Sequence, residues 1–137
     1  MEILGTGIFD NDESRYLLNC FDNRGELHGI MWFLSPVLSH REDIIHANEA
    51  NRVLVICEAI ARMQGNFGEE KNDQTEILDR LVAKYSYEVS PRMAAMALSA
   101  IEFILTEPSE ILNAWSTAED LAAWKNNVEN LKKRIRT

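Results

Sequence analysis

The chain has 137 residues, of which 46% are hydrophobic and 26% are charged, and its formal net charge is -8 at pH 7. This composition predicts one globular domain, residues 1–137, with enough chain to bury a hydrophobic core. The negative charge disfavours nucleic acid and anionic membranes as partners and favours a basic protein. A membrane span is not expected, because Pro36, Arg52 and Glu58 interrupt the longest apolar runs.

The N-terminal sequence does not fit a secretory leader, and together with the cysteines it predicts a cytoplasmic protein. Glu2 stands where a secretory leader would carry Lys or Arg, and no small-residue cleavage site follows an apolar core. Cys20 and Cys57 lack the spacing of a metal-binding pair, so two free thiols in a reducing compartment are expected. Both cysteines fall on apolar helix faces, which favours small core residues over nucleophiles.

The least generic segment is Gly5-Thr6-Gly7-Ile8-Phe9-Asp10-Asn11-Asp12. Glycines separated by one residue allow a tight bend or a close approach, because neither carries a Cβ. The polar residues after them suit a helix N-cap, and Asp10 and Glu13 have the spacing of a capping box. The neighbouring carboxylates would repel phosphate, and both the third glycine of a dinucleotide fingerprint and the lysine of a P-loop are missing. We therefore expect a structural clasp that inserts Ile8 and Phe9 into the core.

Apolar periodicity predicts an all-α bundle of about five to seven helices behind this N-terminal glycine-containing loop. A first helix is expected from Asp12 to Asp22, closed by Gly25, with an apolar face of Tyr16, Leu17, Cys20 and Phe21. Residues 27–38 form a short apolar run that fits a buried helix or a strand, and Pro36 ends or kinks it. A helix is favoured because no second convincing strand exists to pair with it.

Later helices are indicated by their caps as much as by their periodicity. Ser39-His40-Arg41-Glu42 has capping-box spacing, and Ser90-Pro91 is a strong start signal. The segment from Ser90 to Leu105, rich in Ala and Met, is predicted to be the central and most buried helix. The other helices are expected at about Asn48 to Gln64, from Asp73 through Tyr85, at Ser109 to Trp115, and from Thr117 along a seam of Leu121, Trp124, Val128, Leu131 and Ile135.

Glu58 and Glu102 are the most informative polar side chains, because each is a lone carboxylate within an apolar stretch of a predicted helix. Three interpretations remain open. The carboxylates are a pair with raised pKa values for acid–base or metal chemistry. Alternatively, both accept hydrogen bonds from the amides of Gly5-Thr6-Gly7. In the third, Glu58 forms a surface i, i+4 pair with Arg62.

Other signals of chemistry are poor. His40, Asp43, His46 and Glu49 step by three residues, so successive side chains rotate apart by about 60° and a solvated polar face is expected rather than a metal site. No Gly-x-Ser-x-Gly motif is present, and no serine pairs convincingly with a histidine and an acid. We therefore predict no catalytic residue, no metal and no cofactor.

The assembled motifs resemble the bacterial domain-of-unknown-function family 4259. The likeness rests on the N-terminal segment, Cys57-Glu58-Ala59-Ile60-Ala61 and Ala100-Ile101-Glu102-Phe103-Ile104-Leu105, and it continues through Ser109-Glu110-Ile111-Leu112, Trp115, Trp124 and Val128-Glu129-Asn130-Leu131. The chain departs from the family where Leu4 replaces a frequent Trp. The resemblance implies no established activity, but it groups Gly5, Gly7, Phe9, Asp12, Glu58 and Glu102 as family positions.

Two functional hypotheses follow. The first is a small acidic protein-interaction module, immunity- or antitoxin-like, that meets a basic partner. The second is an enzyme or small-ligand binder with a carboxylate site at the Gly5–Asp12 loop. For both, the binding or clasp residues are Gly5, Gly7, Phe9, Asp10, Asp12, Glu58 and Glu102.

Overall fold

A computed structural model describes residues 3–39, 44–85, 88–106 and 108–137. The predicted all-α single-domain bundle is confirmed, and strands are absent from these ranges apart from isolated bridges of Ile3 with Asn11 and of Ile45 with Ser109. The helices are α1 (Asp12–Arg24), α2 (Met31–Ser39), α3 (Ala47–Met63), α4 (Asp73–Lys84), α5 (Pro91–Leu105), a short 3-10 helix (Glu110–Asn113) and α6 (Ala118–Arg134).

Helix α3 is the centre of the bundle. It contacts every other helix of the described chain, and each residue from 53 to 62 is buried. The prediction that the Ala- and Met-rich helix α5 would be central is therefore wrong. Small residues allow α5 to pack closely on α3, but they line only one of its faces, whose buried residues are Met93, Ala94, Ala97, Ala100, Ile101 and Ile104. From Val53 to Arg62, α3 is apolar except at Glu58 and Arg62, and these two charged side chains are ion-paired, so the stretch can be buried on all sides.

The N-terminal cap of α1 is Asn11, not the Asp10 of the expected capping box. The Asn11 side chain accepts a hydrogen bond of 2.8 Å from the Ser14 amide. At the other end Gly25 adopts φ +78°, the left-handed conformation expected of a closing glycine. The helix therefore has nearly its predicted length.

The buried face of α1 is rotated by one position from the predicted one. Leu17, Leu18 and Phe21 are buried, whereas Tyr16 is 67% exposed. A tyrosine hydroxyl keeps its water contacts at the surface, while Leu18 has no polar group to solvate.

Helix α2 confirms the helical interpretation of the ambiguous apolar run, although it begins only at Met31. Gly29 adopts φ +61° and its carbonyl accepts the Trp32 amide at 3.0 Å, so the chain turns there before the helix starts. Leu34 and Val37 are buried, and Trp32 points outward. Pro36 lies inside the helix.

The caps of the later helices agree with the sequence in part. Ser90 caps α5 by accepting the Met93 amide at 3.1 Å, as the Ser90-Pro91 signal predicts. Helix α4 begins at Asp73, as expected, and its cap is the residue before: the Asn72 side chain accepts the Thr75 amide, and the Thr75 side chain accepts the Asn72 amide. The short helix expected after Ser109 is a 3-10 helix, and the possible turn at Ser39-His40-Arg41-Glu42 extends into residues outside the described ranges.

Helix α6 closes the bundle through the predicted seam. Trp124, Val128, Leu131 and Ile135 are buried, and Leu121 is partly buried. The ring centroids of Trp115 and Trp124 are 5.9 Å apart. Among the described helices, none combines the length and the hydropathy that a membrane span requires.

Candidate functional site

Glu58 is the centre of a buried ion-pair network. Only 3% of the residue is exposed, and both of its carboxylate oxygens accept hydrogen bonds from arginines. Arg134 binds Glu58 through two hydrogen bonds: Nη1 donates to Oε1 at 2.9 Å, and Nη2 donates to Oε2 at 2.8 Å. Arg62 Nε donates to Oε1 at 3.0 Å. Bidentate, charge-assisted bonds of this kind are the strong ones in proteins, and they hold all three side chains in fixed positions.

The guanidinium of Arg62 joins this network to helix α4. Its Nη1 donates to Asp79 Oδ1 at 2.6 Å, and its Cζ lies 5.6 Å from the centroid of the Phe67 ring. Burial alone would lower the pKa of Arg62, but the hydrogen bonds and charges of Asp79 and Glu58 outweigh burial and raise it. Arg62 therefore stays charged, and the buried Arg62 and the partly buried Arg134 are balanced by the carboxylates of Glu58 and Asp79.

Arg134 is held by more than its carboxylate partner. Its Nη1 also donates to the Asn66 carbonyl at 3.2 Å, and its Nε donates to Asn130 at 3.1 Å. Gly68 packs directly on the guanidinium, since a Cβ at that position would lie 3.0 Å from Arg134 Cζ. A glycine is therefore favoured here by the close approach of the guanidinium, which a Cβ would displace, rather than by backbone conformation.

The local sequence explains how these groups meet. Glu58 and Arg62 are four residues apart on α3, so they share one face of the helix. Hydrogen bonds fix the end of α6 to the segment after α3. Asn66 Nδ2 donates to the Arg134 carbonyl at 2.8 Å, Gln64 Nε2 donates to the Arg136 carbonyl at 2.5 Å, and the Arg136 amide donates to Gln64 Oε1 at 2.9 Å. These contacts bring Arg134 over Glu58.

A cleft of about 310 Å³ lies above this network, and we call it the acidic cleft. Glu58, Arg62 and Arg134 form its base. Its rim carries the carboxylates of Glu69, Glu70 and Glu129 and the ammonium of Lys133, and the remaining lining residues are Ile8, Gly68, Asn126, Asn127 and Asn130. Across the whole lining four carboxylates face three cations, and the surplus of negative charge lies at the rim. Asp79, which completes the charge balance of the two arginines, binds Arg62 but does not line the cleft.

Glu70 is the rim carboxylate most affected by its neighbours. Desolvation raises its pKa, the charge of Asp10 raises it further, and a 2.8 Å hydrogen bond from Asn72 opposes both. Burial is the larger cause, and the smaller contribution of Asp10 is a repulsion between two carboxylates that a cation near Glu70 would relieve.

The glycine loop is built around Asp10. The Gly7 amide donates to Asp10 Oδ2 at 2.9 Å, and the Leu4 amide donates to the Asp10 carbonyl at 2.7 Å. A Cβ at Gly5 or at Gly7 would lie 2.7 or 2.8 Å from Asp10 Oδ2, so both glycines make room for this carboxylate. Ile8 and Phe9 are buried, and Asp12 is exposed at the start of α1.

The interpretation in which Glu58 and Glu102 accept hydrogen bonds from the amides of the glycine loop is wrong. Gly7 bonds to the nearer carboxylate of Asp10, while Glu58 bonds to arginines. Glu102 is exposed on α5, where it pairs with Lys132 of α6 and does not line the acidic cleft. The i, i+4 pair of Glu58 with Arg62 does form, but it is buried rather than on the surface.

Sequence reasoning missed Arg134, Asp79 and the cleft rim. The cationic run at the end of α6, which includes Arg134, has an ordinary explanation as favourable charge at a helix C-terminus, and this hides its role. One available signal was the position of Arg134, three residues after the seam residue Leu131 and therefore near the same helix face. A second was the need of a buried Glu58 for a cationic partner.

Metal and thiol chemistry find little support in the described chain. No group of three or more His, Cys, Asp or Glu residues there is placed to hold a metal ion. Of the predicted polar ladder, His40 and Asp43 lie outside the described residues, and His46 lies 3.5 Å from Glu110. Burial raises the pKa of the Cys57 thiol, which keeps it protonated and unreactive.

The fold and the site together define an all-α domain with a polar, ion-paired cleft. The family model described as Domain of unknown function (DUF4259) matches residues 3–127, so the chain belongs to that family. The match includes the glycine loop, Glu58 and Arg62. No curated protein and no solved structure matches the chain.

Proposed function

We propose that this protein is an interaction module whose acidic cleft receives basic side chains of a partner protein, in the manner of an immunity protein or antitoxin. The observation that carries the proposal is the charge of the rim, where Glu69, Glu70 and Glu129 face a single lysine, Lys133; with the base included, the lining holds four carboxylates and three cations. The net charge of -8 has the same sign and would speed the approach of a basic partner.

The ion-paired base of the cleft supports recognition rather than catalysis. Both oxygens of Glu58 are occupied by Arg62 and Arg134, so Glu58 is poorly suited to transfer a proton or to bind a metal. The same bonds make the base rigid before any partner arrives. A pre-organised surface binds with a smaller loss of conformational entropy than a flexible one.

Three asparagines complete the chemistry of the lining: Asn126, Asn127 and Asn130. Asn127 donates to the Thr6 carbonyl at 2.9 Å and thereby connects α6 to the glycine loop. Amide oxygens accept hydrogen bonds from guanidinium and ammonium groups, so they complement the rim carboxylates. The cleft thus offers acceptors of both kinds to an arginine or lysine side chain.

The test is capture of a partner with tagged protein at about 50 mM and about 500 mM salt, a range over which surface electrostatics are strongly screened. We expect a basic protein to be retained at low salt and lost at high salt. The triple variant Glu69→Gln/Glu70→Gln/Glu129→Gln should lose it. A matched triple variant, Glu26→Gln/Glu88→Gln/Glu119→Gln, removes the same charge from exposed positions outside the cleft and should retain it.

Equal loss in both triple variants would contradict a role for the cleft, because net charge alone would then explain binding. A second candidate function is favoured by the polar lining and the volume of the cleft, which suit a small cationic ligand. Under that alternative no protein is captured. A panel of polyamines and basic amino acids should instead raise the melting temperature of the wild type but not of the cleft triple variant.

A further inference from the structure

Trp32 is the most exposed large hydrophobic side chain of the described residues, at 82%. Helix α2 is packed through Leu34 and Val37, which are buried, so the fold does not require an indole at position 32. Large apolar side chains are costly to solvate, and tryptophan is the residue most enriched among binding hot spots. The position of Trp32 therefore calls for a partner.

Two grooves meet at this side chain. The first, of about 510 Å³, lies between α1 and α2 and is lined by Leu17, Phe21 and Phe33 as well as Trp32. The second, of about 530 Å³, lies between α2 and α5 and is lined by Met31, Pro36 and Met96 as well as Trp32. We call this continuous surface the Trp32 face. Its apolar character contrasts with the polar acidic cleft.

The charges of the Trp32 face are opposite in sign to those of the protein as a whole. Arg24 and His28 line the first groove and Arg92 lines the second, while no described carboxylate lines either. Across the described ranges, neither Arg24 nor Arg92 forms an ion pair, although carboxylates outnumber cations in this chain. Two unpaired arginines flanking an apolar surface define the charge of what fits there.

We propose that the Trp32 face docks an apolar segment of another protein that carries carboxylate side chains. Its apolar side chains would occupy the grooves on the two sides of the indole, and its carboxylates would pair with Arg24 and Arg92, whose planar guanidinium groups can bind a carboxylate through two hydrogen bonds. This surface is separate from the acidic cleft, so the proposal does not depend on the proposed function.

A second copy of the chain fits this surface less well. Two-fold pairing through the Trp32 face would bring the arginines of one copy toward those of the other, and like charges disfavour such a contact. An acidic segment satisfies the grooves and the arginines at the same time. The occupant is therefore a different chain with apolar and acidic side chains.

The experiment is a selection from a displayed library of random 16-residue peptides on the full-length protein, followed by affinity measurements on the enriched sequences. We expect enriched peptides with a net negative charge and several Leu, Phe or Trp residues. Trp32→Ala should weaken their binding by about tenfold or more, the loss that marks a hot spot. Arg24→Glu/Arg92→Glu should weaken acidic peptides to a similar extent.

Matched controls exist for both variants. Tyr16→Ala removes another exposed aromatic side chain that lines neither groove, and Lys84→Glu/Lys125→Glu reverses two cations elsewhere on the surface. Both should leave peptide affinity within about twofold, in the range of energetically neutral positions.

Three results would overturn the proposal: no enrichment, enrichment of basic peptides, or binding that is equal in Trp32→Ala and wild type. A fourth is dimerisation of the wild type in sedimentation experiments that Trp32→Ala abolishes, since a second copy would then occupy the surface. The charge-reversal variant keeps the test decisive if Trp32→Ala alters folding.

Discussion

Glu58 and Glu102 look alike in the sequence, yet they occupy opposite environments. Each is a lone carboxylate within an apolar stretch of helix, but the side chain of Glu58 is 4% exposed and that of Glu102 is 54% exposed. Glu58 binds two arginines in the core, whereas Glu102 pairs at the surface with Lys132. The difference arises from their helices: α3 is surrounded on every side, and α5 packs through one face.

This comparison shows that an isolated carboxylate in an apolar helix marks a special site only when the helix is enclosed by others. An enclosed carboxylate must be paired, because leaving one ion buried without its partner is far more costly than leaving it in water. An exposed one can exchange its lysine for solvent at little cost. The two positions should therefore respond very differently to the same substitution.

The largest expected effect is that of Glu58→Gln. This change keeps the shape of the side chain but leaves Arg62 and Arg134 without a buried counter-charge, so we expect a loss of about 3 kcal/mol in the free energy of unfolding. Urea denaturation followed by circular dichroism measures it. A loss below about 1 kcal/mol would show that Asp79 and solvent suffice to balance the arginines.

An intermediate effect is expected for Gly68→Ala. The new Cβ would lie 3.0 Å from Arg134 Cζ and displace a guanidinium that is fixed by Glu58, so we expect a loss of about 1 kcal/mol. The control is the same substitution in an Arg134→Met background, where a flexible side chain can move aside. If Gly68→Ala costs the same in both backgrounds, the contact with the guanidinium is not the cause.

Glu102→Gln should change the free energy of unfolding by no more than about 0.5 kcal/mol, because exposed ion pairs contribute little. The same urea denaturation as for Glu58→Gln makes the two values directly comparable. Equal losses at positions 58 and 102 would remove the distinction between the enclosed and the exposed helix.

The smallest effect concerns Glu70 and depends on pH. Its pKa is raised in the folded protein, so the fold disfavours the ionised form and loses stability as pH rises from the ordinary carboxyl range through the raised value. Glu70→Gln should therefore stabilise the protein slightly at neutral pH, by about 0.3 kcal/mol for an exposed group. The gain should vanish below the ordinary carboxyl range. A gain that persists at low pH would have another origin than charge.

The helices and many of their caps could be predicted from sequence, since periodicity and N-cap chemistry are local properties. Ser90-Pro91, Gly25 and the α6 seam are examples. Which helix is central could not be predicted, because the small residues of α5 and the apolar residues of α3 both indicate burial. Only the packing of the other helices distinguishes them.

Sequence could identify one residue of the candidate site, Glu58, but not the residues that bind it. Glu58 is conspicuous as a buried carboxylate, but its partner Arg134 is 76 residues away in the chain, and no local pattern connects them. The glycine loop shows the opposite error. One interpretation of the sequence paired its amides with the distant Glu58 and Glu102, whereas Asp10, three residues from Gly7, accepts the hydrogen bond. Local geometry prevailed because a nearby acceptor requires no long-range docking.

The separation between Glu58 and Arg134 also has a consequence for the order of events during synthesis. At ordinary ribosomal rates of about 5 to 20 residues per second, those 76 residues take about 4 to 15 s to be made. During that interval α3 can pack against α1, α2, α4 and α5, but Glu58 lacks its bidentate partner Arg134. We expect the nascent bundle to remain loosely closed until α6 docks, because only then does Arg134 complete the ion-pair network of Glu58.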